Sequence, residues 1–139
     1  MNAFYWSLGA AVVWGIVPII EKLGLLKIDP LVGLFYRSWG VVIGLFFLSA
    51  FKWEGIKSSL AQPPVGFPLL ILGGFLASII GQVFFYNALK VGESSKVVPL
   101  AGTYPLVAFL LGVIFLGEKF TLAKLSGMIF ILLGVILLK

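Results

Sequence analysis

The stretch VVPLAGTYPLVAFLLGVIFLGEKFT, residues 97–121, carries two prolines, Pro99 and Pro105, inside what otherwise reads as one long apolar helix. A proline removes a backbone donor and frees the carbonyl four residues back. Lipid does not tolerate that loss, but protein or cavity water can repair it. Pro99 falls near the start of the run, where missing donors cost little. Pro105 is deeper and is expected to bend the helix around Ala101 and Gly102. The bend either turns Thr103, Tyr104 and a freed carbonyl toward a cavity or is a structural kink and nothing more. Pro18 is a third candidate kink, in the first apolar run.

The rest of the chain has the same character. Of 139 residues, 61% are hydrophobic and 11% charged, far from the composition of a soluble domain. A hydrocarbon core about 30 Å thick takes roughly 20 apolar helical residues to cross. With that ruler the sequence predicts an all-α membrane protein, a single domain over residues 1–139 with five transmembrane helices at about 3–20, 31–51, 68–89, 97–116 and 121–138. Breaks fall at Glu21-Lys22, at Asp29-Pro30, at Lys52 to Pro64, at Lys90 to Lys96 and at Gly117-Glu118-Lys119, and Lys139 closes the chain. Trp53, Ile56 and Leu60 share a helical face, so the segment before Pro63-Pro64 is either a helix on the membrane surface or plain loop. The runs are too long, and too uniformly apolar, for barrel strands.

The amino-terminal residues lack the basic region and cleavage site of a signal peptide, so the first span is expected to persist. With no cysteine and no histidine, disulfides, thiolate or imidazole metal sites and imidazole catalysis are all absent. No metal or cofactor is expected. No basic run suggests nucleic acid, and no intramembrane pair of nucleophile and base suggests an enzyme.

Lysines divide almost evenly between the two sides of such a bundle. Lys52, Lys57, Lys119 and Lys124 fall on one side, and Lys22, Lys27, Lys90, Lys96 and Lys139 on the other. Orientation follows the Lys and Arg excess near the spans. A near tie predicts insertion both ways round, unless a local signal or a partner fixes one orientation. No second copy of the pattern occurs within the chain, so an inverted repeat would have to come from another molecule.

The run Asn87-Ala-Leu-Lys-Val-Gly-Glu-Ser-Ser-Lys-Val-Val-Pro-Leu, then Tyr104-Pro-Leu-Val, Leu116-Gly-Glu-Lys-Phe-Thr, Gly127 and Gly134, resembles the EamA-type domain of the drug/metabolite transporter superfamily. Trp14-Gly15 and Tyr36-Arg37 extend the resemblance over essentially the whole chain. Larger members look like two such domains fused. The resemblance therefore implies a half-transporter that pairs as an antiparallel dimer of ten helices, with itself or with a paralogue, in the plasma (inner) membrane of a prokaryote. It implies export, exchange or facilitated passage of small metabolites, amino acids or related compounds. A flippase for a lipid-linked headgroup and a non-transporting scaffold subunit are the alternatives. The related small multidrug resistance proteins carry a glutamate in the middle of their first span. This sequence has Trp14 near that depth and no carboxylate inside any of the five apolar runs, so facilitated diffusion or exchange is expected ahead of proton antiport.

The substrate site is expected between the two halves of the pair, lined by Trp14, Arg37, Gln82, Tyr86, Thr103 and Tyr104. Arg37 lies roughly 9 Å into the second span by helical rise. It either snorkels or bonds to carbonyls, or it faces the cavity and attracts a carboxylate. Ser78, Gln82 and Tyr86 recur every four residues as a polar stripe that must meet other helices or a cavity, with Asn87 beside it. Trp14 and Pro18 make an aromatic wall or simple core. Glu21, next to Lys22 at the end of its run, reads as a solvated interfacial carboxylate, with a functional role as the alternative. Gly40/Gly44, Gly73/Ala77/Gly81 and Ala108/Gly112 mark close helix approaches. Gly127 and Gly134 share a face of the last span and are expected at the dimer interface or in intramolecular packing.

Overall fold

A computed structural model describes residues 2–61 and 66–138. Pro63-Pro64, which closes the break that begins at Lys52, and the closing cation Lys139 lie outside the described residues. Among the described residues seven α-helices follow one another: α1 Ala3–Gly24, α2 Pro30–Leu60, α3 Phe67–Phe75, α4 Gly81–Val91, α5 Ser94–Ala101, α6 Tyr104–Leu116 and α7 Leu122–Leu137. A π-helical turn, Leu76–Ile80, joins α3 to α4. Among the described residues there is no strand.

Among the described residues four stretches are long and apolar enough to cross a membrane: Ala3–Gly24, Pro30–Leu60, Phe67–Val91 and Ser94–Leu116. The fifth, α7, has 16 residues, about 24 Å at the helical rise, and is shorter than the hydrocarbon core. Five spans were expected, and among the described residues the structure has four of crossing length and a shorter apolar helix.

Boundaries also move. The first helix does not stop at Ile20, because Glu21, Lys22 and Leu23 are good helix formers and nothing breaks the chain before Gly24. The second begins at an N-cap: the Asp29 carboxylate accepts from the backbone N–H of Leu31 at 2.9 Å and of Val32 at 3.4 Å, with Pro30 in the first turn, where its missing donor is no loss. It continues past the apolar run to Leu60 across a kink at Lys52, whose backbone is non-helical (φ −120, ψ 20). The segment holding Trp53, Ile56 and Leu60 is therefore helix and not loop. The fourth begins at Ser94, three residues before Val97, which places Pro99 inside α5 and not in its first turn.

Most large apolar side chains are exposed, among them Phe46, Leu70, Ile114 and Phe130. Water would not tolerate that surface, but hydrocarbon would. The chain divides into two compact units, one formed by Ile20–Lys90 and the other by the described residues up to Ile19 and from Val91 onward. The large buried side chains of Leu25, Leu34, Tyr86 and Leu89 belong to the first of these, and the buried Pro18 to the second.

Candidate functional site

Within the Ile20–Lys90 unit, three polar side chains from two helices converge on one carboxylate. Glu21 of α1 accepts through Oε1 from Arg37 Nε at 3.1 Å, from the Tyr86 hydroxyl at 2.9 Å and from Gln82 Nε2 at 3.2 Å. Its Oε2 accepts from the same Gln82 nitrogen at 3.3 Å. The Glu21 side chain is 10% exposed and that of Arg37 31%. This overturns the reading of Glu21 as a solvated interfacial carboxylate. It also removes the premise that no carboxylate lies inside a span, since α1 carries Glu21 within its first candidate crossing. Burying a charge without partners is prohibitive, and four contacts, one of them an ion pair, are what make the position tenable.

Local sequence explains how the three donors reach it. Gln82 and Tyr86 are four apart on α4 and project from one face. Ser78 sits in the π-helical turn, where the N–H of Gly81 reaches back to the carbonyl of Leu76. The wider turn shifts the four-residue register, so Ser78 is not among the partners of Glu21. Asn87 donates to the Val83 carbonyl of its own helix at 2.8 Å. Arg37 stands one turn beyond Gly33, which is where the backbone of α2 comes close to its neighbours. A Cβ at Gly33 would lie 2.6 Å from Leu25 Cδ2 and 3.5 Å from Tyr86 Cε2.

Two lysines tie α1 and α4 at their carboxyl ends. Lys22 Nζ donates to the Leu89 carbonyl at 2.6 Å. Lys90 Nζ donates to the carbonyls of Leu25, of Leu26 at 3.3 Å and of Ile28 at 3.0 Å. Each helix thus supplies the cation that meets the other's terminal carbonyls, the end where a positive charge is favoured.

Beside the carboxylate lies an open cleft of about 340 Å³ lined by Glu21, Arg37, Tyr36 and Tyr86 and by the apolar Leu25 and Ile28. It has the size and mixed lining of a small-molecule site. Among the described residues no group of three His, Cys, Asp or Glu side chains could hold a metal.

Arg37, Gln82 and Tyr86 are thus brought together, and Arg37 meets its charge on Glu21 rather than on backbone carbonyls. Trp14, Thr103 and Tyr104 belong to the other unit. There Trp14 and Tyr104 are exposed, and Pro18 is buried in an α1 that runs unbroken through it. The fourth apolar run is divided between α5 and α6 at Gly102 and Thr103. The Thr103 hydroxyl donates to the Leu100 carbonyl at 2.8 Å, while Pro105 occupies the first turn of α6.

The Leu116-Gly-Glu-Lys-Phe-Thr motif is a helix-to-helix turn in the same unit. Gly117 adopts the left-handed conformation (φ 64) that favours glycine at a helix end, and its N–H returns to the Gly112 carbonyl. The Glu118 carboxylate folds back over Gly112, where a Cβ would meet its carboxyl carbon at 3.2 Å. Glu118 also pairs with Lys124 at 3.5 Å. The Thr121 hydroxyl caps α7 by accepting from the Lys124 N–H at 3.2 Å. Gly127 and Gly134 are exposed on α7, and a Cβ on either would meet nothing.

Sequence reasoning placed Glu21 at the interface rather than in the site, and it did not single out Gly33, Leu25 or Ile28. A signal for Glu21 was present: Arg37, Gln82 and Tyr86 are donors in search of an acceptor, and Glu21 is the acidic residue that borders an apolar run with no break before it.

The profile of the EamA-like transporter family matches residues 1–139. An uncharacterised transporter of a Sinorhizobium species is 29% identical over 136 residues, 96% of this chain and 94% of that protein. An uncharacterised transporter of Bacillus subtilis is 28% identical over 133 residues, 94% of this chain but 42% of the relative. An uncharacterised protein of Methanocaldococcus jannaschii is 40% identical over 60 residues, 43% of this chain and 44% of that protein. The chain thus spans less than half of two of these three relatives and nearly all of the other. No solved structure matches. With span-length apolar helices and relatives named as transporters, the protein is an integral multi-pass membrane protein. The chain belongs to the EamA-like transporter family.

Proposed function

We propose that the protein is half of an alternating-access transporter for small, partly apolar metabolites in a prokaryotic plasma membrane, completed by a second, inverted copy of itself or by a paralogue. The carrying observation is the Glu21, Arg37, Gln82 and Tyr86 cluster beside an open cleft. Charged groups inside spans are costly and occur mainly where they face a pathway or a site. A scaffold subunit has no use for such a group at an open cleft.

Pairing is supported by the two lengths of relatives, one matched almost throughout and another matched over 42%. It is also supported by the even division of lysines. In this reading α7 serves as a fifth span, its short length accommodated by local bilayer thinning or by association through the Gly127 and Gly134 face. Arg37, Gln82 and Tyr86 are assigned to the substrate. Trp14, Thr103 and Tyr104 are retained as substrate contacts on the strength of the sequence alone.

Counterflow in proteoliposomes tests transport, and labelling of single cysteines from both sides of the membrane tests topology. The expected result is solute exchange by protein present in both orientations, weakened by Gln82→Leu and by Tyr86→Phe in variants that still fold. Undiminished exchange by both variants would sink the site. A single orientation in cells without a paralogue, or a parallel dimer, would sink the inverted pair.

A further inference from the structure

The hydrogen bonding around Glu21 is unbalanced in one direction. Oε1 accepts from Arg37, Gln82 and Tyr86, and Oε2 from Gln82, so the carboxylate is well supplied with donors. Arg37 pairs through Nε, and its Nη1 is buried with no hydrogen-bond partner. A guanidinium holds a carboxylate best through two parallel N–H···O bonds, whereas Glu21 takes Arg37 from the side through one nitrogen. The unmet demand is for an acceptor. Both residues line the same cleft, with Leu25 and Ile28 as its apolar wall.

We propose that the cleft binds a partly apolar carboxylate on Arg37, and that Glu21 takes up one proton as that substrate binds. This deepens the transporter reading above and rests on it. The argument is one of charge. One guanidinium cannot serve two carboxylates, one of them on a side chain only 10% exposed, without leaving a net negative charge there. The other charged and titratable groups of the unit on the elements around Glu21 do not supply it. On α1, Lys22 is bonded to the Leu89 carbonyl, and on α4, Lys90 is bonded to those of Leu25, Leu26 and Ile28. Asp29 caps the start of α2. Tyr36 and Tyr86 are phenols, and Gln82 is neutral.

A proton on Glu21 resolves the conflict. The neutral carboxyl releases the guanidinium, which turns its Nη1 and Nη2 fork toward the ligand and satisfies the nitrogen now left without a partner. Loss of the proton returns Arg37 to Glu21 and expels the anion. One carboxylate therefore crosses with one proton and no net charge. A cationic substrate meets Arg37 and an already engaged carboxylate, and inorganic phosphate brings more charge than one guanidinium offsets.

Calorimetry on the full chain in lipid nanodiscs tests this, with phenylacetate and 4-methylpentanoate as probes and phenylacetamide, phenethylamine and inorganic phosphate as comparators. Both carboxylates should bind with uptake of about one proton, their affinity falling as pH rises by up to about tenfold per pH unit. The three comparators should not bind. Glu21→Gln should bind both carboxylates without proton uptake and without pH dependence, and Arg37→Gln should lose them. If Glu21→Gln does not fold, proton uptake by the natural sequence decides. Absence of binding by both carboxylates, binding without proton uptake, equal binding of the amide or preference for phosphate would each overturn the proposal. Counterflow in vesicles separates the two readings. Flux of phenylacetamide or phenethylamine without carboxylate flux would end the anion assignment and leave transport standing, and no flux of any solute would end both.

Discussion

The two compact units are held by different kinds of contact. Besides local ties, Ile20–Lys90 has long-range ones, with Glu21 reaching Gln82 and Tyr86, Lys22 reaching Leu89, and Lys90 reaching Leu25 and Ile28, all more than 60 positions away. In the other unit Ser7, Thr103, Lys124 and Ser126 bond to atoms no more than six positions away. The first unit fixes the mutual position of α1, α2 and α4 through buried charge. The second shapes its own turns and leaves its helices to apolar packing.

The largest expected effect comes from taking the acceptor out of the first unit. Glu21→Leu leaves Arg37, Gln82 and Tyr86 without their shared partner and should lower stability by about 3 kcal/mol, toward the low end for a broken buried pair because Arg37 keeps some solvent contact. Equilibrium unfolding in mixed micelles would measure it, and a loss below about 1 kcal/mol would mean the long-range ties are not what holds the unit.

Lys90→Met should come next, at about 1–2 kcal/mol, because several carbonyls at the end of α1 lose a charged donor. The same unfolding measurement applies, and a change indistinguishable from zero would show that water replaces the cap.

Gly33→Ala tests the close approach rather than the charges. The added carbon would be 2.6 Å from the end of the Leu25 side chain, which can swing away, and in ordinary contact with Tyr86. A loss of about 1 kcal/mol is expected, with a smaller cleft and weaker substrate binding. Unchanged stability and binding would show that the approach has slack.

Glu118→Gln is the smallest. Its pair with Lys124 is about half exposed on both sides, so removal should cost at most about 0.5 kcal/mol. If it rivalled Glu21→Leu, the contrast between the units would collapse.

Reading along the chain recovered what depends on neighbours in sequence. Uninterrupted apolar runs mark helices that lipid can surround, and Asp29-Pro30 and Gly117 mark ends because an N-cap and a left-handed backbone are local properties. The four-residue spacing of Gln82 and Tyr86 placed them on one face of a helix. The same local view misplaced Glu21. A charge at the end of an apolar run, next to Lys22, looks solvated when judged by its neighbours, and the length of α1 was underestimated for the same reason.

By itself, then, the sequence determined that this chain is helical, lies in a membrane and resembles one family, because hydropathy, helical period and turn chemistry are written in adjacent residues. Only the tertiary structure decided which acceptor Arg37, Gln82 and Tyr86 share and where the cleft lies. Desolvation and ion pairing depend on what packs around a group, and the partners of Glu21 stand 16, 61 and 65 positions from it.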